Sequence, residues 1–174
     1  DAVICAIGAP PRDRSGVRTR ATAAIVKAMQ AQGVARIVAV STYGVAETYP
    51  RLPLHYRWLI FPLFLRHVRA DHEVQERILR DSGLRWTSVR AAALIDDDTE
   101  TAVCHGFDDV SDKSLTISRA AVADFVLQVI ARRTYVRQAP ALSHPERRWF
   151  KKPAAASEDA MVALARTPAP AGAR

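Results

Sequence analysis

Two cysteines and seven glycines are few for 174 residues, and what these shortages remove narrows the chemistry. Cys5 and Cys104 lie far apart in the chain, which gives neither a disulfide framework nor metal-ligand spacing; both read as buried, reduced thiols. No Gly-x-x-Gly-x-x-Gly occurs, so these residues encode no glycine-rich phosphate cradle. No Tyr-x-x-x-Lys occurs either: Glu47 follows Tyr43 at that offset and Ile60 follows Tyr56, which removes a tyrosine–lysine proton donor. The most apolar stretch, Trp58 to Leu65, is interrupted by Pro62 and bounded by Arg57 and Arg66. It falls far short of the roughly 20 residues a membrane-spanning helix needs. The first residues carry no basic n-region followed by a small-residue cleavage site. A cytoplasmic protein with no membrane partner is expected.

What is present supports one globular unit. Hydrophobic residues make up 49%, enough for a core, and the formal net charge is +7. A basic balance admits nucleic acid or an anionic ligand. The arginines are scattered rather than striped, which favours a solvated basic surface, and no nucleic-acid partner is expected. Ile95 to Glu100 clusters carboxylates without a histidine or matching carboxylate at ligand spacing; it reads as a solvated loop, with no metal.

Ala2 to Ile7 is apolar at every position and closes on Gly8 and Pro10. Such a run fits a strand covered on both faces, as in parallel sheets. A strand of that kind normally has neighbours on both sides, so the chain reads as the C-terminal part of a longer one. It should then expose an apolar strand edge and face. A helix follows from about Val17 to Gln32, with Val17, Ala21, Ala24, Ile25, Ala28 and Met29 on its apolar stripe, Arg18 on the other face, and Gly33 as breaker. Arg36 to Ser41 is a second apolar strand. The strand–helix–strand order with this crossover length predicts parallel pairing. After an irregular stretch to Pro53 and an aromatic-rich segment from Leu54 to Leu65, a helix is predicted over Ala70 to Arg80. Val74, Ile78 and Leu79 should face inward, and Glu76 should pair with Arg80 at i, i+4. Leu84 to Arg90 is a third strand, Thr101 to Phe107 an edge strand, and Ser114 to Ser118 a short one. Ser118 is the expected N-cap of a last helix, Arg119 to Ala131, with Val122, Phe125, Val126, Val129 and Ile130 inward. From Glu146 the chain turns Ala-, Pro- and Arg-rich without a sustained apolar face, and reads as an unfolded tail. The division expected is 1–145 as a domain and 146–174 as tail.

In an open parallel α/β sheet, ligands collect beyond the carboxyl ends of the strands. Three sets stand there: Ile7-Gly8-Ala9, Ser41-Thr42-Tyr43-Gly44, and Arg90-Ala91-Ala92-Ala93. Gly8 either lets a flat group approach the backbone or only makes a turn. Ser41 and Thr42 either bond a ligand or satisfy loop backbone. Tyr43 donates a proton only if a nearby cation lowers its pKa. His72, beside Asp71, either faces the cleft as a titrating group or caps a helix at the surface.

The segments DAVICAIGAP, IVKAMQAQGVARIVAVST, DHEVQERILRDSGLRWTSVR and TISRAAVADFVLQVI together resemble the atypical short-chain dehydrogenase/reductase group, in particular its NmrA-like and biliverdin-IXβ reductase–flavin reductase-like branch, over about residues 1–143. The resemblance implies a Rossmann-like, doubly wound parallel sheet in a three-layer α/β/α arrangement, here without its N-terminal glycine-rich βαβ part, and NADP or NAD as cofactor. It implies Ile7, Gly8 and Ala9 on the adenosine side and Ser41 and Thr42 by the nicotinamide and substrate. Thr42 and Tyr43 would carry the catalytic roles, and the backbone from Arg90 through Ala91 and Ala92 would meet the carboxamide end. Relatives usually carry prolines where Ala91-Ala92 stand, and the tetrapyrrole reductase has a histidine where Ala93 stands, which argues against that exact substrate. The implied activity is hydride transfer from a nicotinamide to a flat small-molecule acceptor such as a flavin or quinone, by a monomer or homodimer. The alternative is a non-catalytic, NAD(P)-sensing regulator. An epimerase or dehydratase is disfavoured by the missing tyrosine–lysine pair.

Overall fold

The computed structural model describes residues 1–97, 103–107 and 114–145. Among the described residues, seven strands and three α-helices follow one another as β1 (Ala2–Cys5), α1 (Val17–Ala31), β2 (Arg36–Thr42), α2 (Arg66–Asp81), β3 (Arg85–Ala91), β4 (Ala93–Ile95), β5 (Cys104–Gly106), β6 (Thr116–Ser118), α3 (Arg119–Ala131) and β7 (Ala141–Ser143). The main sheet has the order β1-β2-β3-β7-β5. β1, β2, β3 and β7 run parallel, and β5 closes one edge antiparallel to β7. This is a mostly parallel, Rossmann-like α/β fold. β4 and β6 form a separate parallel pair.

Alternation along the strands sends side chains to two layers. On one face, Cys5, Ile37, Ala39 and Trp86 pack with Val26 and Met29 of α1 and Leu79 of α2. On the other, Val38, Val89 and Ala91 pack with Val122, Phe125, Val126 and Val129 of α3. Full burial of such side chains contributes about 1.5–3 kcal/mol each. Ser118 caps α3 as expected, its side chain accepting from the Ala121 amide at 3.1 Å. β1 lies at the sheet edge, and Ile4, on the α3 face, is 47% exposed.

Several expectations need correction. The first strand stops at Cys5, not Ile7. The buried stripe of α1 is Arg18, Thr22, Val26 and Met29, whereas Ala24 and Ala28 are exposed. α2 begins at Arg66, and its buried residues include His72, Gln75 and Glu76 beside Leu79; Val74 and Ile78 are only half-buried. The stretch read as irregular contains a 3-10 turn at Ala46–Arg51, and Tyr56–Leu65 is a π-helix running directly into α2. Pattern reading missed β7 altogether. Cys104 is half-buried rather than buried, and both thiols are free. The predicted tail, most of the carboxylate cluster after Asp97, and Thr101-Ala102 of the predicted edge strand lie outside the described residues.

Candidate functional site

Because β1, β2 and β3 are parallel and adjacent, their carboxyl ends share one side of the sheet. A crevice of about 330 Å³ opens there. Ile7, Gly8 and Ala9 line it after β1, Val40, Ser41 and Thr42 at the end of β2, and Ala91, Ala92 and Ala93 after β3. Leu65, Val68 and His72 close it from the helical side, and Arg18 reaches it from α1. The floor is built from small and aliphatic residues. A Cβ added at Gly8 would meet nothing within 4 Å, so that position is open space.

The sequence-selected residues divide into two groups. Ile7, Gly8, Ala9, Ser41, Thr42, Ala91 and Ala92 meet in the crevice. Tyr43 and the Arg90 side chain do not; they line a neighbouring cavity of about 460 Å³ on the β7 side. Strand alternation explains the split, since Arg90 points to the α2 face while Ala91 points to the α3 face. The Arg90 guanidinium donates to Glu76 at 2.9 and 2.7 Å and to Glu47 at 2.5 Å. Glu76 also accepts from Ser88 Oγ at 2.9 Å. Arg80 bridges the same two carboxylates at 3.1 and 3.5 Å. The expected i, i+4 contact between Glu76 and Arg80 is present, and Glu76 also pairs with Arg90, both 3% exposed at their side chains, in a buried clamp. Burial alone would raise the Glu47 pKa, but bonds from its own backbone amide, Arg90 and Arg80 hold it down to about 2. The amides around Arg90 are committed to the sheet: Arg90 donates to Pro140 and Ala92 to Leu142, both at 2.9 Å, and Ala93 to Leu115 at 2.9 Å.

Sequence reading left His72 open between cleft and surface; it is buried and lines the crevice. Its Nδ1 lies 3.0 Å from Gln75 Oε1 and 3.5 Å from Ser41 Oγ. A carbonyl oxygen only accepts, so Nδ1 carries the proton and Nε2 does not. Gln75 in turn donates to Thr22 Oγ1 at 3.3 Å. Burial, then the Arg18 charge, lowers the His72 pKa to about 4, and the ring is neutral at physiological pH. Asp71 does cap a helix, but not its own: it accepts from the Arg18 and Thr19 amides at 3.2 and 3.0 Å, at the start of α1. α1 needs this partner because Gly16 at its N-cap offers no side chain.

Arg18 is the residue that pattern reading most misplaced. It is 8% exposed, donates from Nη1 to Asp71 at 3.4 Å and from Nη2 to the Ala9 carbonyl at 3.3 Å, and its buried Nε has no hydrogen-bond partner among the described residues. Its signal in the sequence is weak: a cation four residues before Thr22, on a face with too few large apolar residues to stand out. A crevice with small-residue walls, two hydroxyls, a neutral imidazole, one under-satisfied guanidinium and no carboxylate among its lining residues fits an anionic dinucleotide. Among the described residues no cluster of His, Cys, Asp or Glu could hold a metal ion, and no helix is long and apolar enough to cross a membrane.

Solved structures share this architecture. A wide-type short-chain dehydrogenase/reductase from Veillonella parvula, in complex with NADP, superposes with a TM-score of 0.69 at 18% identity, covering 87% of this chain and 66% of that one. The anaerobillin reductase ChuY of Escherichia coli O157:H7 gives 0.65 at 18%, covering 88% and 66%. A candidate NADH-flavin reductase of Streptococcus pneumoniae gives 0.58 at 18%, covering 83% and 71%. The chain thus spans just under two thirds of the length of the first two. No curated protein matches it. The family model described as NAD(P)H-binding matches residues 1–133, and with a crevice suited to that ligand at its strand ends, the chain belongs to this NAD(P)H-binding family.

Proposed function

We propose that the chain is the acceptor-side part of an NAD(P)H-dependent reductase acting on a flat, electron-poor molecule such as a flavin or quinone. The observation that carries this reading is the crevice itself: three parallel strand ends meet there on small residues, with hydroxyls and a neutral imidazole but no carboxylate. When bound, the reduced nicotinamide supplies the hydride. The chain's residues bind, orient and exclude water. Ile7, Gly8 and Ala9 offer a flat contact to the adenosine side, and Arg18, with its unpartnered Nε, supplies a cation for the phosphates. Ala91 and Ala92 leave room for a stacked ring pair. Ser41, fixed by His72, and Thr42 orient polar groups at the ring edge. Tyr43 and Arg90 act from behind the crevice: the Tyr43 amide donates to the Ala91 carbonyl at 2.7 Å, and the Arg90 clamp ties β3 to α2, so both position the strand ends. A flat acceptor of this class takes its protons from water, so no dedicated acid is required.

The test is NAD(P)H consumption with FMN and with a soluble quinone, alongside titration of cofactor affinity. Consumption is expected with at least one acceptor. Thr42→Ala should lower kcat about tenfold while leaving cofactor Kd within about twofold. Cofactor binding without turnover over a broad acceptor panel would instead favour an NAD(P)-sensing regulator.

A further inference from the structure

Between Glu47 and Asp71 the sequence holds no carboxylate, yet it carries Arg51, Arg57, Arg66 and Arg69. Among the described residues the same stretch holds the largest group of exposed apolar side chains: Leu54, Trp58, Leu59, Leu63 and Phe64 are between 53% and 75% exposed. They belong together because Tyr56–Leu65 is a π-helix, in which i to i+5 bonding brings residues four and five apart onto one face. Their spacing is of that kind: Leu54 to Leu59, Trp58 to Leu63, Leu59 to Phe64. The opposite face is anchored. Phe61 is 6% exposed and packs against Leu52, Tyr49 and Gly44. A Cβ at Gly44 would come within 2.4 Å of the Phe61 ring, so glycine is needed for the helix to seat. The apolar face is therefore held outward by a specific buried contact.

We propose that this face docks on the surface of an anionic lipid bilayer. Tryptophan, phenylalanine and leucine on one side with arginines at the margins is the composition of a segment that lies in the headgroup–acyl boundary. Arg57 and Arg66 flank the face, and among the described residues neither forms an ion pair. Arg66 is exposed and available to headgroup phosphates, while Arg57 is half-buried, donates from Nη1 to the Pro50 carbonyl at 3.3 Å and lies 6.0 Å from the Tyr49 ring centroid, so its charge acts from the margin of the face. Arg69 is not available, being engaged by Glu73 at 2.8 Å and lying over the Tyr49 ring. A second copy is a poor occupant: a two-fold contact through this patch would set the same arginines of two chains with formal net charge +7 against one another. The chain beyond residue 145 is a poor one too, since Arg147, Arg148, Lys151 and Lys152 make it basic. Leu65 and Val68, at the end of the same segment, line the crevice, so docking would set its mouth beside the headgroup layer.

The experiment is co-sedimentation of the whole chain with phosphatidylcholine vesicles, with and without phosphatidylglycerol, and analytical ultracentrifugation without lipid. Roughly tenfold greater binding to the anionic vesicles is expected, falling with salt. Trp58→Ser with Phe64→Ser should abolish it, and Arg57→Gln with Arg66→Gln should weaken it, circular dichroism showing both variants folded. Equal binding by the Trp58→Ser/Phe64→Ser variant would overturn the proposal, because charge elsewhere would then carry it. Absence of binding to either vesicle would overturn it, as would a lipid-free dimer that the same variant dissolves.

Discussion

The two sides of the carboxyl end of β3 differ in nearly every physical respect although adjacent residues build them. Ala91, Ala92 and Ala93 open onto a crevice of small side chains whose polar groups are hydroxyls, a neutral imidazole and one guanidinium with an unpartnered nitrogen. Arg90, one residue earlier, points the opposite way into a clamp where Glu76 and Glu47 answer its charge and Arg80 binds the same two carboxylates. One side is left chemically incomplete and open to a ligand; the other is complete in itself and fixes the strand. A site needs both, because a crevice positions a ligand only as well as its walls are held.

The largest expected break of this contrast is Glu76→Ala. It removes the buried carboxylate from Arg90 and leaves only the largely exposed Glu47 facing the guanidinium, which should cost about 3 kcal/mol, read from urea unfolding. Replacing both partners, Glu76→Leu with Arg90→Leu, should cost less than the single change, since no buried charge is then left alone. On the crevice side, His72 accepts a proton near 6.5 when unfolded but only at about 4 when folded. Its contribution is complete above the unfolded value and is lost as pH falls toward the folded one. Stability should therefore decline between about pH 6.5 and 4.5, with a full effect of about 3 kcal/mol by pH 4. His72→Gln should flatten that slope in chemical denaturation series. The smallest stability effect should come with a large binding effect. Gly8→Val adds a side chain to open space, so stability should move by no more than about 0.5 kcal/mol. Cofactor affinity measured by fluorescence titration should fall tenfold or more, about 1.4 kcal/mol.

Much of the frame was legible in the residues. β2, β3 and α3 follow from runs of apolar residues and a 3.6-residue period, and Ser118 announces its own helix. The three strand ends could be located for the same reason, and seven of the selected residues converge in space. The misses share a cause. Arg18, His72, Gln75 and Glu76 are polar residues on buried faces, so a reading that assigns polar groups to solvent turns α1 by one position and α2 by part of a turn. Several of their partners lie 14 to 53 residues away, as Arg90 does from Glu76, Asp71 from Arg18 and Thr22 from Gln75, where no local pattern reports them. The π-helix was equally hidden, because its spacing matches neither standard period and it depends on Phe61 finding Gly44.

The sequence by itself determined the succession β1, α1, β2, α2, β3 and later α3, the parallel pairing of β1, β2 and β3, and the end of the sheet where small residues and hydroxyls gather. These follow from hydrophobic period and crossover length, which are local quantities. Only the tertiary structure decided which polar groups are buried, which cation lacks a partner, and which apolar face stays in water. Those outcomes depend on desolvation balanced against specific contacts between distant segments, and the balance exists only once the segments have met.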